Sequence, residues 1–171
     1  MAGNRVGKTM AGGCELVYHL TGIYPDWWEG HWWDRPIVAL AAGDTVASTR
    51  DIIQEKLLGD YEDQGSGLIP KDKIAGTEKK IGVPRALEEI RVKHISGGTS
   101  KLMLRSYDQG RKIFQGFEAD FVWFDEEVPE DVYTEGLTRT MTTRGLLVMT
   151  FTPLNGMTEL VTSFLESADL V

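Results

Sequence analysis

The run Ala2-Gly3-Asn4-Arg5-Val6-Gly7-Lys8-Thr9 fits the phosphate-binding loop pattern G-x-x-x-x-G-K-[ST], with Ala2 in place of the first Gly. Nothing else in the 171 residues constrains the fold as strongly. Gly3 and Gly7 let the backbone fold back, so that consecutive N–H groups point inward at phosphate oxygens. Lys8 is placed to reach the β- and γ-phosphates, and the Thr9 hydroxyl to ligate Mg²⁺. A helix must begin at once, because its N-terminal dipole has to face the anion. Such loops normally follow a buried β-strand. Here the pattern starts at residue 2, so the expectation is a chain whose first strand is missing.

The length suits one domain with a real core, taken as residues 1–171. Hydrophobic content of 42% and charged content of 26% are ordinary for a globular chain. A single cysteine, Cys14, excludes a disulfide framework, and three histidines add no cysteine-rich zinc site. Cys14 itself, in Ala11-Gly12-Gly13-Cys14, reads as a small packed residue rather than a nucleophile. No signal peptide and no apolar run of membrane-spanning length is present, which points to a reducing cytosolic compartment. The net charge of −8 argues against a dedicated nucleic-acid-binding face. It leaves room for a motor that grips DNA through a few local contacts in a ring.

Met10 to Leu20 reads as a helix stopped by Gly22. Its small residues, Ala11 to Cys14, suit close packing on a sheet. Tyr24 to Pro36 carries Trp27, Trp28, Trp32 and Trp33 among Gly, Asp and Pro, and cannot be regular. It is either a surface loop anchored by aromatics or a docking site for another subunit. Ile37 to Ala42 is a continuous apolar run, as in a parallel strand buried on both faces. Thr45 to Leu58 looks helical, with Val46, Ile53 and Leu57 on one side. Gly59 to Pro84 reads as an excursion with little regular structure. Glu88 to Ile95 and Ser100 to Tyr107 alternate around Ser96-Gly97-Gly98-Thr99 and predict a β-hairpin.

Phe121-Val122-Trp123-Phe124 predicts a second buried strand, and Leu146 to Met149 a third. Between them Pro129-Glu130-Asp131 opens a helix on which Tyr133, Leu137 and Met141 recur, with Gly145 as its end. A last amphipathic helix is expected after Gly156, with Leu160, Val161, Phe164 and Leu165. Buried strands alternating with helices give an α/β fold with a parallel sheet.

Asp125-Glu126 follows the second strand directly, the Walker B pattern. The strand would carry Asp125 to its C-terminal end, beside the phosphate loop. There Asp125 can hold Mg²⁺ in its outer shell while Thr9 ligates it, and Glu126 can orient and polarise an attacking water. Glu127 is the alternative base. Taken alone, acids at a strand end are as often helix caps. Arg5 is either a γ-phosphate contact or a solvent-exposed loop side chain. Thr150 and Thr152 end the third strand, as hydroxyls for the phosphate or the water, or as caps before Pro153.

Together these elements resemble the ATPase domain of the tailed-phage terminase large subunit, the motor that packages viral DNA. The resemblance runs through Ala2–Thr9, Ser106–Gly116, Phe121–Glu127, Tyr133–Thr140 and Thr150–Pro153. It implies a P-loop NTPase of the RecA-like ASCE type: a parallel sheet flanked by helices, with a β-hairpin and its first strand missing. It implies ATP and Mg²⁺ as cofactors. Ala2, Gly3, Asn4, Arg5, Val6, Gly7, Lys8 and Thr9 would bind nucleotide, and Thr9 and Asp125 metal. Glu126, Lys8 and Arg5 would serve catalysis, and Thr150-Phe151-Thr152 would couple hydrolysis to DNA movement. The implied partners are double-stranded DNA, further copies in a homo-oligomeric ring, the portal protein and the small terminase subunit, in the host cytoplasm and with no membrane.

Three features depart from that family. Its adenine-binding segment and first strand are absent, so the chain is expected to be truncated, with a gap in its core and weak nucleotide affinity. Gln115 stands where many terminases carry an arginine that reaches the neighbouring subunit's nucleotide, which leaves Arg111 as the substitute finger or as a plain surface charge. The family's C-terminal nuclease domain has no room after Thr152, so the chain is expected not to cut DNA. Two other readings also fit: a helicase-like motor of the same fold, and a catalytically inactive terminase fragment.

Overall fold

The computed structural model describes residues 7–152 and Thr162. The apolar runs become the middle of a six-stranded sheet in the order β2-β3-β4-β1-β5-β6. Its strands are β1 (Val38–Gly43), β2 (Ile74–Lys79), β3 (Leu87–Lys93), β4 (Thr99–Ser106), β5 (Phe121–Asp125) and β6 (Leu146–Thr150). Four of them, β4, β1, β5 and β6, run parallel, and β2 and β3 extend the sheet antiparallel. The helices are α1 (Lys8–Thr21), α2 (Val46–Ser48), α3 (Glu55–Leu58) and α4 (Glu130–Met141). This is a mixed α/β fold with a mostly parallel sheet flanked by helices.

The apolar strands are continuous rather than alternating because both faces of the sheet are covered. Ala39 and Ala41 of β1, with Phe121 and Trp123 of β5, face a layer containing Leu16, Leu20, Ile53 and Leu57. Leu40 and Ala42, with Val122 and Phe124, face the opposite layer, which holds Met103, Phe114 and Val132. The small residues of α1 have the expected use. A Cβ added at Gly12 would lie 2.5 Å from Trp123 Nε1, so only glycine lets the helix sit this close to β5. Gly22 ends the helix in the left-handed region, its N–H bonded to the Tyr18 carbonyl at 2.8 Å. The predicted hairpin is also present: β3 and β4 pair around Gly97 and Gly98, which both have positive φ.

Three expectations need correction. The excursion from Gly59 to Pro84 contains β2, an edge strand whose pairing with β3 shifts register twice. The sequence hides it because an edge strand of Ile-Ala-Gly-Thr-Glu-Lys keeps charges where a central strand would keep apolar residues. The helical segment over residues 46–58 is not uniform; Thr49–Gln54 is π-helical. In α4 the stripe of Leu137 and Met141 is exposed. Its buried face carries Val132, Glu135, Gly136 and Thr140 instead. Gly136 brings that face against Phe124, and buried Glu135 is neutralised by Arg139 at 2.9 Å. The helix expected after Gly156 lies outside the described residues.

The segment from Tyr24 to Pro36 is irregular, as expected. Trp33 anchors it, buried against His19 and Phe121 at ring separations of 4.6 and 6.4 Å. The Tyr24 hydroxyl accepts the Trp33 backbone N–H at 3.0 Å. Trp27 and Trp32 remain 69% and 65% exposed. Every residue of β6 is half-buried, and among the described residues no strand pairs with its outer edge.

Candidate functional site

The C-terminal ends of β5 and β6 converge on the first turn of α1. Gly7 has φ 86, a left-handed conformation that suits glycine, and its carbonyl accepts the Ala11 N–H at 2.9 Å to start the helix. Lys8 and Thr9 are thereby fixed in the first helical turn. Ala2, Gly3, Asn4, Arg5 and Val6, and with them the proposed γ-phosphate contact of Arg5, lie outside the described residues.

Asp125 is the last residue of β5 and is 3% exposed. The Thr9 hydroxyl donates to its carboxylate, 3.0 and 3.1 Å from the two oxygens. The Thr150 hydroxyl donates to Asp125 Oδ1 at 2.7 Å and accepts Trp123 Nε1–H, also at 2.7 Å. Trp123, Thr150, Asp125 and Thr9 therefore form one hydrogen-bonded chain across three elements. The register makes it possible, because Thr150 is the direct neighbour of Asp125 in the β5–β6 ladder. The Tyr107 hydroxyl lies 3.1 Å from the Ala42 carbonyl and 2.9 Å from that of Asp125, at the end of β4. Its burial and the nearby Asp125, Glu126 and Asp44 push its pKa far up, so it stays a neutral tie between strand ends.

Glu126 leaves the strand in the left-handed region, φ 71, with its N–H held by the Thr150 carbonyl at 2.9 Å. The turn directs it into an open cleft of about 350 Å³ that Gly7, Lys8, Thr9 and Thr152 also line. Met10 of α1 lines it too, with Ile52 and Lys56 from the helical segment after β1. Burial raises the pKa of Asp125, against the hydrogen bonds from Thr150 and Thr9 and the charges of Lys56 and Lys8. Glu126 is raised too, by burial and then by the Asp125 charge, with Lys8 opposing and Asp44 adding to the rise. A carboxylate moved toward neutrality is a better proton acceptor than a solvated one.

The structure thus brings Lys8, Thr9, Asp125, Glu126, Thr150 and Thr152 to one place. Phe151 follows β6 directly, half-buried. Arg111 does not line the cleft. It sits in the 3₁₀ turn Arg111–Phe114, 55% exposed, with Nε 3.5 Å from Glu135 Oε2. Gln115 donates to the same oxygen at 3.2 Å. Sequence reasoning missed Ile52, Lys56 and the Trp123 indole N–H. Lys56 carries no motif, and it lies beside the core face of Ile53 and Leu57. Trp123 was legible as a core residue but not as a donor.

Among the described residues no group of three or more His, Cys, Asp or Glu side chains could hold a metal ion. Thr9 Oγ1 and the Asp125 carboxylate do converge, as a hydroxyl and a carboxylate. Two hard oxygen donors suit Mg²⁺, which keeps several waters and takes further oxygens from phosphates. The residues present fit that ion.

A family model for the N-terminal region of the terminase large subunit, T4likevirus-type, matches residues 1–169. The chain belongs to the terminase large-subunit family. The terminase large subunit of Salmonella phage P22 is 36% identical over 187 residues, covering 98% of this chain and 38% of the P22 protein. The chain therefore spans about two-fifths of the length of that relative. No solved structure matches. No helix among the described residues is long and apolar enough to cross a membrane.

Proposed function

We propose that this terminase chain is an ATPase motor domain of the RecA-like ASCE, P-loop type, which hydrolyses ATP to drive double-stranded DNA into a procapsid. The observation that carries the reading is the Thr9–Asp125–Thr150 chain beside Glu126. It joins the first turn after the glycine loop to the ends of two parallel strands, where α/β sheets bind ligands.

Hydrolysis transfers the γ-phosphoryl group to water and depends on positioning and charge stabilisation. In this reading Ala2–Gly7 would supply backbone N–H groups to the phosphates, and Lys8 would neutralise the β- and γ-oxygens. Arg5 adds positive charge at the γ-phosphate. Thr9 and Asp125 hold Mg²⁺, which when bound supplies charge neutralisation at the phosphate oxygens. Glu126 orients the attacking water and accepts its proton, a role its raised pKa favours. Thr150, bonded to Asp125, and Thr152, in the cleft wall, link the state of the phosphate to β6. With Phe151 they form the coupling segment. Arg111 acts on the nucleotide of an adjacent copy in a homo-oligomeric ring, which requires it to leave Glu135. The remaining partners are DNA, the portal protein and the small terminase subunit, in the host cytoplasm.

The test is ATP hydrolysis by the full-length protein with and without double-stranded DNA. Glu126→Gln should keep ATP binding and lower turnover by about 10²–10⁴-fold. If Glu126→Gln hydrolyses ATP as fast as the unmodified protein, Glu126 is not the base. If double-stranded DNA and the other packaging components never stimulate hydrolysis, the motor reading fails.

A further inference from the structure

A cation that no motif assigns faces the same cleft. Lys56 lies in α3, just beyond the π-helical turn Thr49–Gln54. In that turn the Glu55 N–H reaches the Arg50 carbonyl, five residues back. A π-turn adds a residue to the helical repeat and changes the face that the following side chains present, a device frequent at functional sites. Burial divides the segment into two faces. Ile53 and Leu57 stay in the core at 1% and 0% exposure, while Ile52 and Lys56 line the cleft with Lys8, Thr9 and Glu126.

The backbone of Lys56 is fixed. Its carbonyl accepts the Leu68 N–H at 3.0 Å, and the next carbonyl, of Leu57, accepts that of Ile69 at 2.8 Å. Its side chain is half-buried. Other lysines pair directly with carboxylates: Lys80 with Glu88 at 2.9 Å and Lys101 with Glu89 at 2.7 Å. Lys56 forms no such pair among the described residues. A half-buried ammonium, held by a rigid backbone and turned toward a cleft that also holds Lys8, is placed for an anionic ligand.

We propose that Lys56 is a second phosphate-binding cation of this site, reaching from α3 toward the polyphosphate that Lys8 approaches from α1. This rests on the reading of the cleft as a nucleotide site. Lysine suits the position, because a point charge on a flexible stem follows a phosphate without requiring a fixed fork geometry.

The experiment measures Mg·ATP and AMP affinities of the full-length protein by equilibrium titration, with Lys56→Met, Lys56→Gln, Lys56→Arg and Lys8→Ala. Loss of a charge-assisted phosphate contact should weaken ATP binding about tenfold or more in Lys56→Met and Lys56→Gln. AMP binding should change far less, and Lys56→Arg should stay within about threefold of the unmodified protein for ATP. The neutral variants should keep their thermal midpoint without nucleotide. If they bind ATP like the unmodified protein, or lose ATP and AMP equally, the assignment of Lys56 is wrong. Lys8→Ala separates the two ideas: it should abolish ATP binding whatever Lys56 does. If the unmodified protein binds no ATP, or Lys8→Ala binds it normally, the nucleotide reading itself falls and the role of Lys56 falls with it.

Discussion

Thr150→Val removes one hydroxyl and keeps the shape of the side chain. That hydroxyl accepts Trp123 Nε1–H and donates to Asp125 Oδ1, both at 2.7 Å. Trp123 is fully buried, so its N–H would lose its acceptor where water does not reach it. An orphaned buried donor costs about 1–3 kcal/mol. Asp125 would lose one charge-assisted bond, normally worth about 1.5–3 kcal/mol, and would keep the one from Thr9. The two losses share a single group and do not add fully, and β-propensity returns a few tenths of a kcal/mol to valine, giving a net loss of about 2–3 kcal/mol. For a domain of this size that lowers the thermal midpoint by about 4–12 °C. Thr150→Ser keeps the hydroxyl and should lose less than about 1 kcal/mol. Urea and thermal unfolding, followed by tryptophan fluorescence and circular dichroism, measure both variants. Strand propensity alone predicts the opposite sign, with valine at least as stable as threonine. A valine variant as stable as the unmodified protein, or a serine variant as unstable as valine, would refute the hydrogen-bonded chain.

Gly12→Ala would raise stability in an exposed helix by about 1 kcal/mol; here the new Cβ meets Trp123 Nε1 at 2.5 Å. Overpacking of about 1–3 kcal/mol should win, and a higher urea midpoint would contradict the close α1–β5 contact. Glu126 has φ 71, which costs a non-glycine residue about 1–2 kcal/mol. Glu126→Gly should therefore be about 1 kcal/mol more stable than Glu126→Ala in urea unfolding, and equal stabilities would show that no strain is stored there. Burial, opposed by the Trp33 carbonyl and the Asp34 charge, holds His94 below its ordinary pKa of 6.5. Its Nδ1 accepts the Ser96 N–H at 3.1 Å, which a protonated ring cannot do. The unfolded chain then binds the proton more readily, so stability should fall as pH drops below about 6.5. His94→Gln should flatten that slope; an unchanged slope assigns it to other groups.

The central strands were legible because burial on both faces forces apolar runs that few other elements show. Val38–Gly43, Phe121–Asp125 and Leu146–Thr150 all lie within a residue or two of the runs that predicted them. The hairpin was legible from two glycines that had to take positive φ. β2 was not, because an edge strand contributes backbone pairing and little apolar surface. The inner face of α4 was misread for a related reason. Its closest approach is made by Gly136, which hydrophobic periodicity does not register. At the site, Lys8, Thr9, Asp125 and Glu126 announce themselves by spacing. Lys56 does not, because a single lysine beside the core face of a helix carries no spacing signal.

The place of β6 in the sheet has a consequence for amide exchange. β1 and β5 are hydrogen-bonded on both sides, whereas among the described residues β6 is bonded on one. The amides of β6 should therefore exchange through local opening at lower free energy than those of β1, whose exchange should approach the global limit. Asp125 sits on a strand that β1 still holds when β6 opens, and Thr150, which holds it, on the strand that opens. Detachment of one strand would thus release the carboxylate from one of its two hydroxyl partners while the rest of the sheet stayed closed.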